Sequence, residues 1–243
     1  MDTFKEKRIL VTGGSQGIGK GIVIELWRLG ANVVTISNQP DELQKLKSLY
    51  PTIETACVDL CDWVATRKAV ESLGVFDGLV NNAGVAIIEP FLECTATSFD
   101  RTMSINVRAI LNVSQVVAQK MIQHKIKGSI VNISSKASMA ALPNHVAYCA
   151  SKSAVDSMTR VMSLELGQHG IRVSTVNPTA VMSELGRRVW ADPVKAGNLL
   201  AKIPLGRFGE VEEVVNTVLF LLSSRATMIT GVQLPVDGGF LAT

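Results

Sequence analysis

The sequence predicts an α/β fold, a single doubly wound domain whose seven parallel strands carry helices on both faces. Three observations lead there. Short β-branched runs alternate with longer helical patterns along the whole chain, the strand runs are almost continuously apolar, and a glycine-rich turn joins the first strand to the first helix. A strand covered on both faces has no solvent side, so its apolar residues need not alternate with polar ones.

Taken in order, Arg8–Thr12 reads as a strand and about Gly17 to Leu29 as an apolar-periodic helix. Asn32–Ser37 is the second strand, followed by a helix over Asp41–Leu49. Ile53–Val58 is the third, with a helix over Trp63–Leu73. Gly78–Asn81 and Ser129–Ile133 are buried strands separated by a long helical region centred on Phe99–His124. A helix over roughly Ala147–Gln168 ends at Gly170, Arg172–Val176 is the sixth strand, Val211–Leu222 a helix and Gln233–Val236 a short seventh strand. Residues 178–209 fit this alternation poorly, with Pro193, Gly197, Pro204 and Gly206 around a weak helical stretch. An insertion there is either a substrate lid or a surface excursion that packs.

Of the 243 residues, 47% are hydrophobic and 19% charged, enough for a sizeable core and incompatible with a disordered chain. A net charge of +3 without a basic run gives no support for nucleic acid or an anionic membrane as main partner. Cys57, Cys61, Cys94 and Cys149 are too scattered for a disulfide framework or a zinc site, so they are expected to be buried thiols, and no metal is expected. The charged start lacks a signal-peptide core, the end Phe240–Thr243 carries no lipidation or peroxisomal tag, and Val214–Leu222 is far short of the ~20 apolar residues of a membrane span. A cytoplasmic protein is expected.

Thr12-Gly-Gly-Ser-Gln-Gly-Ile-Gly19 follows the first strand directly. A turn free of side chains lets the backbone approach a pyrophosphate, and the next helix offers unpaired N–H groups and a positive dipole end. This is the Rossmann-type arrangement for a dinucleotide. Asp59-Leu60, after the third strand, can meet an adenine amino group or cap a helix, and Asn81-Asn-Ala-Gly84, after the fourth, can admit a ribose or form a structural turn.

Tyr148 and Lys152 stand at i and i+4 on one helical face. A lysine cation near a phenol pulls its pKa down from about 10 toward the working range. Ser135, at the end of the preceding strand, can hold a carbonyl oxygen, whereas Ser134 alternates to the other direction. Asn106 is a polar residue in an apolar helical pattern, either a satisfied buried amide or an anchor for water that links Lys152 to solvent.

These residues carry a resemblance. Thr12-Gly13-x-x-x-Gly17-x-Gly19, Asn81-Asn-Ala-Gly84, the set Asn106, Ser135, Tyr148 and Lys152, and Pro178 after the sixth strand resemble the short-chain dehydrogenase/reductase family over essentially the whole chain. Within it the chain is most similar to the animal dicarbonyl/L-xylulose reductases, through Cys57-Val-Asp-Leu60 with Trp63, Asn144-His145, Ile203-Pro-Leu-Gly206 and Leu234–Phe240.

The resemblance implies that Tyr148 is the general acid/base and that Ser135 orients the carbonyl. It implies that Lys152 lowers the tyrosine pKa and holds the nicotinamide ribose, and that Asn106 completes a proton relay. The cofactor residues would be Gly13, Ser15, Gln16, Gly17, Ile18, Gly19, Ser37, Asn38, Asp59, Leu60, Asn82, Ala83, Gly84, Tyr148, Lys152 and Val181. The chain has Pro178-Thr179 where many members have Pro-Gly. Leu142, His145 and Trp190, with Ser135 and Tyr148, would meet the substrate, or the first three simply pack. The implied assembly is a homotetramer, and the implied substrate a small ketone or α-dicarbonyl, including ketoses such as L-xylulose. A β-ketoacyl or steroid carbonyl is the enzymatic alternative, with Arg187 and Arg188 as weak support for an acyl carrier, and a non-catalytic dinucleotide-binding module is the other.

The second strand ends Thr35-Ile-Ser-Asn-Gln39 with no carboxylate before Asp41, so the group that repels a 2′-phosphate is missing. Gln16 and Asn38 stand where the resembling reductases have basic side chains, leaving Ser15, Ser37 and Asn38 as neutral donors. NADP(H) is expected, with a smaller preference than an arginine would give.

Overall fold

The computed structural model describes residues 4–242; the readings made of Met1–Thr3 and Thr243 lie outside them. Seven strands, β1 (Arg8–Thr12), β2 (Asn32–Ser37), β3 (Glu54–Cys57), β4 (Gly78–Asn81), β5 (Ser129–Ile133), β6 (Arg172–Pro178) and β7 (Gln233–Val236), form one sheet in the order β3-β2-β1-β4-β5-β6-β7. Every pairing is parallel, with Leu10 between Val34 and Leu79 at the centre. The chain leaves β1 toward β2 on one side and returns to β4 on the other. The crevice at that switch point, above the carboxyl ends of the strands, is where open α/β sheets bind ligands.

The helices are α1 (Gly17–Arg28), α2 (Pro40–Leu49), α3 (Trp63–Ser72), α4 (Ala96–Met103), α5 (Ala109–Gln123), α6 (Val146–Leu166), α7 (Glu184–Val189), α8 (Pro193–Leu200) and α9 (Val211–Leu222). Ile9, Val11, Val33, Val80 and Val131 face α1 and α9 on one side of the sheet. Leu10, Val34, Ile36, Leu79 and Ile130 face the other side, against α3, α5 and α6. Burying each such side chain stabilises the fold by roughly 1.5–3 kcal/mol, so both faces select apolar residues. Gly21 sets the approach of α1 to α9, since a Cβ there would lie 2.6 Å from a methyl of Val211.

Four expectations change. The long central helix is not continuous: a π turn at Ser104–Arg108 separates α4 from α5. There Asn106 accepts from the Val85 N–H at 2.8 Å and donates to the Val85 carbonyl at 2.9 Å, and a wide turn brings the residue to that loop. β6 runs two residues further than expected because β7 pairs with it as far as Pro178↔Val236, while its pairing with β5 ends at Val176. The proline's missing N–H therefore costs no bond to β5. β3 is confined to Glu54–Cys57, an edge strand with one neighbour, and its position leaves Cys57 exposed. Cys61, Cys94 and Cys149 are half-buried, so the four thiols are free but not core residues.

Residues 178–209 contain α7 and α8, and Ala196, Ile203 and Phe208 form a small core of their own with Trp190, Leu199 and Phe240. The segment is thus anchored to the chain end as well as to the sheet. No helix of the described residues is long and apolar enough to cross a membrane.

Thr35 ties β2 to the glycine turn. Its fully buried hydroxyl donates to the Val11 carbonyl at 2.8 Å and accepts from the Gly14 N–H at 3.1 Å. Thr35→Val keeps the shape but strands that N–H, and should cost about 1–3 kcal/mol. Urea unfolding measures it, and an unchanged midpoint would show that the turn does not depend on Thr35.

Candidate active site

A cleft of about 840 Å³ crosses the carboxyl edge of the sheet, from the end of β2 to Trp190. Its floor is the meeting of two turns. The Asn82 amide donates to the carbonyls of Thr12 and Gly13, both at 3.0 Å, and the Thr12 hydroxyl accepts from the N–H groups of Asn82 and Ala83. Contact is so close that a Cβ on Gly13 would lie 2.9 Å from Ala83 Cα, and one on Gly19 would lie 2.3 Å from the Gly13 carbonyl oxygen. Gly13 and Gly17 also have φ of +67° and +55°, where side chains are strained. Gln16, before α1, provides no side-chain cap, so the first N–H groups of that helix face the cleft without one.

Most of the residues expected to hold a cofactor line this cleft: Gly13, Ser15, Gln16, Gly17, Ile18, Ser37, Asn38, Asp59, Leu60, Asn82, Ala83, Gly84, Tyr148, Lys152 and Val181. Gly19 lies behind them, against the Gly13 carbonyl. Asp59 is not the cap of α3. That role belongs to Asp62, which accepts from Ala65 N–H at 2.9 Å, while the Asp59 carboxylate accepts from Cys61 N–H. The Ser15 and Ser37 hydroxyls are buried and bond each other at 2.8 Å, so as a pair they offer fewer free donors than expected. Val181 pairs with Gly209 as an isolated bridge made through Met182 N–H and the Ala180 carbonyl, which leaves the Val181 amide out of the pairing.

At the other end, β5 and α6 bring Ser135, Tyr148 and Lys152 together. Ser135 bonds the phenol and also accepts from Ala137 N–H at 3.1 Å, while Ser134 turns away to the Lys152 carbonyl. The Lys152 ammonium lies 5.7 Å from the Tyr148 ring centroid and donates to the Ile133 carbonyl at 2.8 Å. Gly84 fits between this lysine and Asn106, since a Cβ there would sit 3.6 Å from Nζ and 3.2 Å from the amide oxygen.

The electrostatics differ from the expected lysine-lowered phenol. Burial pushes the Tyr148 pKa up from the ordinary tyrosine value, opposed by the Ser135 hydrogen bond. Burial also pushes Lys152 down to about 8, with the Asp156 carboxylate opposing. With its pKa raised, the phenol keeps its proton, and the lysine's hydrogen bond is directed at Ile133. Asn106 is the satisfied amide: besides Val85 it donates to the Ser151 hydroxyl at 3.0 Å, and its side chain does not line the cleft.

Of the expected substrate residues, Ser135, Tyr148 and Trp190 line the cleft, whereas Leu142 and His145 do not. The His145 ring stands edge-on to Tyr148 at 6.2 Å, with Nδ1 2.5 Å from the Pro143 carbonyl oxygen. Trp190 stacks near Phe208 at 5.3 Å. Arg187 pairs with Glu210 and Arg188 with Glu184, so neither offers an uncommitted charge at an acyl-carrier entrance.

Sequence reasoning missed Lys20, Glu42 and Arg101, which also line the cleft. Lys20 was legible as the i+4 neighbour of Gln16; the other two come from helices whose packing no local motif signals. It also missed Lys136, next to Ser135. This lysine is only 4% exposed, its Nζ has no hydrogen-bond partner among the described residues, and it lies 3.3 Å from the Phe240 ring centroid.

Burial pushes Lys136 to about 8 from the ordinary 10.5, with Asp237 opposing and Lys202 reinforcing. Between those values the unfolded chain holds more protons than the folded one, so stability rises with pH. Below about pH 8 the full penalty of a buried charge remains. Lys136→Met should therefore stabilise the protein at pH 7, and the gain should fade as pH rises from 8 to 10.5. Denaturation of both proteins across that range decides it, and a gain independent of pH would contradict the assignment.

A family model described as enoyl-(acyl carrier protein) reductase matches residues 13–241. The chain is 53% identical to the L-xylulose reductase of Mesocricetus auratus, over 98% of this chain and 97% of that one. It is 48% identical to the D-erythrulose reductase of Gallus gallus (99% and 98%) and 45% identical to the carbonyl reductase (NADPH) 2 of Sus scrofa (99% and 98%). Among solved structures, a short-chain type dehydrogenase/reductase from Mycobacterium ulcerans aligns with a TM-score of 0.93 at 32% identity, covering 99% of this chain and 92% of that one. A gluconate 5-dehydrogenase from Burkholderia cenocepacia in complex with NADP and tartrate aligns with a TM-score of 0.94 at 29% identity, covering 99% and 97%.

Proposed function

The chain belongs to the short-chain dehydrogenase/reductase family and is an oxidoreductase acting on CH–OH groups; from that premise we propose an NADPH-dependent reductase of a ketone or α-dicarbonyl, of the L-xylulose/dicarbonyl type. The observation that carries this reading is the convergence of Ser135, Tyr148 and Lys152 at one end of a cleft whose other end is a glycine turn without side chains. The relatives named for L-xylulose, D-erythrulose and carbonyl reduction support the substrate class.

The donor set fits a dinucleotide. A Cβ at Gly13 or Gly19 would press the glycine turn and the Ala83 turn apart, and the uncapped start of α1 suits a diphosphate. Asp59 and Leu60 would flank the adenine, residues 82–84 its ribose, Lys152 the nicotinamide ribose and Val181 the carboxamide. A bound reduced nicotinamide supplies the hydride that the carbonyl carbon accepts.

The chain's own groups manage the oxygen. Ser135 donates a hydrogen bond to the carbonyl oxygen and holds it beside the phenol. Tyr148, kept protonated by burial, delivers its proton to that oxygen as negative charge develops, so C=O becomes CH–OH. In the reverse direction the phenolate accepts the proton, and the nearby ammonium of Lys152 stabilises it. Asn106 acts by position: its bonds to Val85 and Ser151 fix the loop after β4 and the helix that carries Lys152. Residues 178–209 close the substrate end as a lid, with Trp190 facing the cleft.

The acyl-carrier alternative loses its support because Arg187 and Arg188 are both paired. A non-catalytic binding module has no use for a phenol held beside a serine in the cleft wall. The chain would work in the cytoplasm on a small molecule, as a homotetramer. Leu164, 82% exposed, and Val161 on α6, with Leu111 on α5, are the apolar side chains that assembly would cover. Light scattering at micromolar concentration should give four times the chain mass, and a monomer would overturn this part of the reading.

Tyr148→Phe should fold and bind cofactor as before while turnover falls at least ~10²-fold. Lys152→Ala should do similar damage and also weaken cofactor binding. The assay follows cofactor oxidation against a panel of ketoses and dicarbonyls. A folded Tyr148→Phe protein with near-normal turnover would overturn the assignment.

A further inference from the structure

The 2′ end of the cleft carries a charge that the strand ending leaves out. Resting on the NADPH reading, we propose that Lys20 is the charged donor that recognises the 2′-phosphate, and that Glu42 limits the preference by competing for it.

The placement comes first. The adenine ribose of a dinucleotide lies at the end of the second strand, and a cation there selects a 2′-phosphate. In this chain Ser37, Asn38 and Gln39 line that end of the cleft, and Lys20 and Glu42 line the same cleft. Lys20 follows Gln16 by one helical turn, and its N–H bonds the Gln16 carbonyl at 3.1 Å. Its side chain therefore rises on the face of α1 below the uncapped turn. Glu42 enters from the first turn of α2.

Commitment of the charges comes second. The Lys45 ammonium is already bound to Glu42 at 2.8 Å. Arg188, the lid's cation in the cleft, is bound to Glu184. Lys152 donates to Ile133 at the far end. The Lys20 ammonium has no hydrogen bond or ion pair among the described residues, although it lies close enough to Glu42 to help hold that carboxyl below its ordinary value. Arg101, which also lines the cleft, has no hydrogen bond or ion pair among the described residues either, but it lies by Cys61, beyond β3, whereas Lys20 lies by Glu42 at the start of α2, the helix that follows β2. An ammonium is a point donor that suits a phosphate oxygen, and a charged bond is worth about twice a neutral one. The Ser15 and Ser37 hydroxyls, bonded to each other, leave one neutral donor beneath it.

Glu42 works in the opposite direction. Its carboxylate shares the cleft lining with Lys20 and carries the repulsion that the residues at the end of β2 lack. Lys45 offsets that charge in part, so the rim formed by Lys20, Glu42 and Lys45 has a net charge of +1. Such a rim would give an NADPH preference smaller than one set by an arginine.

The test is direct titration of the purified full-length protein with NADPH and with NADH, read by fluorescence or calorimetry, with no substrate present. In the wild type NADPH should bind more tightly. Lys20→Met should weaken NADPH about tenfold, the scale of one charge-assisted hydrogen bond, and change NADH less than twofold. Lys20→Arg should retain the preference. Glu42→Gln should strengthen NADPH several-fold and leave NADH alone.

Equal weakening of both cofactors by Lys20→Met would mean that the lysine serves the diphosphate, and would overturn the proposal. So would an unchanged NADPH affinity in a wild type that prefers NADPH, and in that case the NADPH reading itself survives. A wild type that prefers NADH overturns both.

Discussion

The close approach of two backbone turns at the switch point of the sheet governs everything above it. β1 and β4 are neighbours whose following chains diverge, and the Asn82 amide bridges the gap by donating to the Thr12 and Gly13 carbonyls. Because that amide takes up space, Gly13 and Gly19 can carry no side chain. The glycines are therefore a packing requirement of the protein before they are a feature of any ligand site. Thr35 secures the same turn from β2, so the cleft floor is held from both of the strands that flank β1.

From this floor a polar thread runs inward. Asn81 donates to Ser114 and Asn132, and Asn132 donates to Thr159, which links β4 and β5 to α5 and α6. Buried polar groups gain only when they are paired, so such a thread favours one arrangement of the helices that carry the candidate catalytic groups. Asn106 extends the logic at the π turn, joining the loop after β4 to Ser151 on α6, one residue before Lys152. These bonds tie the loop after β4 to the helix that carries Tyr148 and Lys152.

Burial governs the site's charges more than pairing does. Tyr148 is pushed toward its protonated form, and both Lys136 and Lys152 toward their neutral forms. The stability forgone by burying two ammonium groups is concentrated around Ser135. At the other end the charges of Lys20, Glu42 and Lys45 stand nearer to solvent, which leaves them screened and weak one by one. The proposed discrimination there rests on Lys20.

The alternation of apolar strands and amphipathic helices determined the sheet, its seven strands and the location of the cleft, because burial on both faces leaves a period that can be read from single residues. Tyr148, Lys152 and Ser135 were legible for a similar reason: i, i+4 spacing and a strand end fix relative position locally. The sequence could not reveal the π turn at Asn106, since its cause is a partner at Val85, 21 residues away in the chain. Nor could it show that Asp62 rather than Asp59 caps α3, or that the serines at the ends of the glycine turn and β2 bond each other. The placement of Glu42 in the cleft and the burial of Lys136 were decided by tertiary structure alone. What a titratable group does depends on how much water and which partners surround it, and those are set by segments far apart in sequence that only the folded chain brings together.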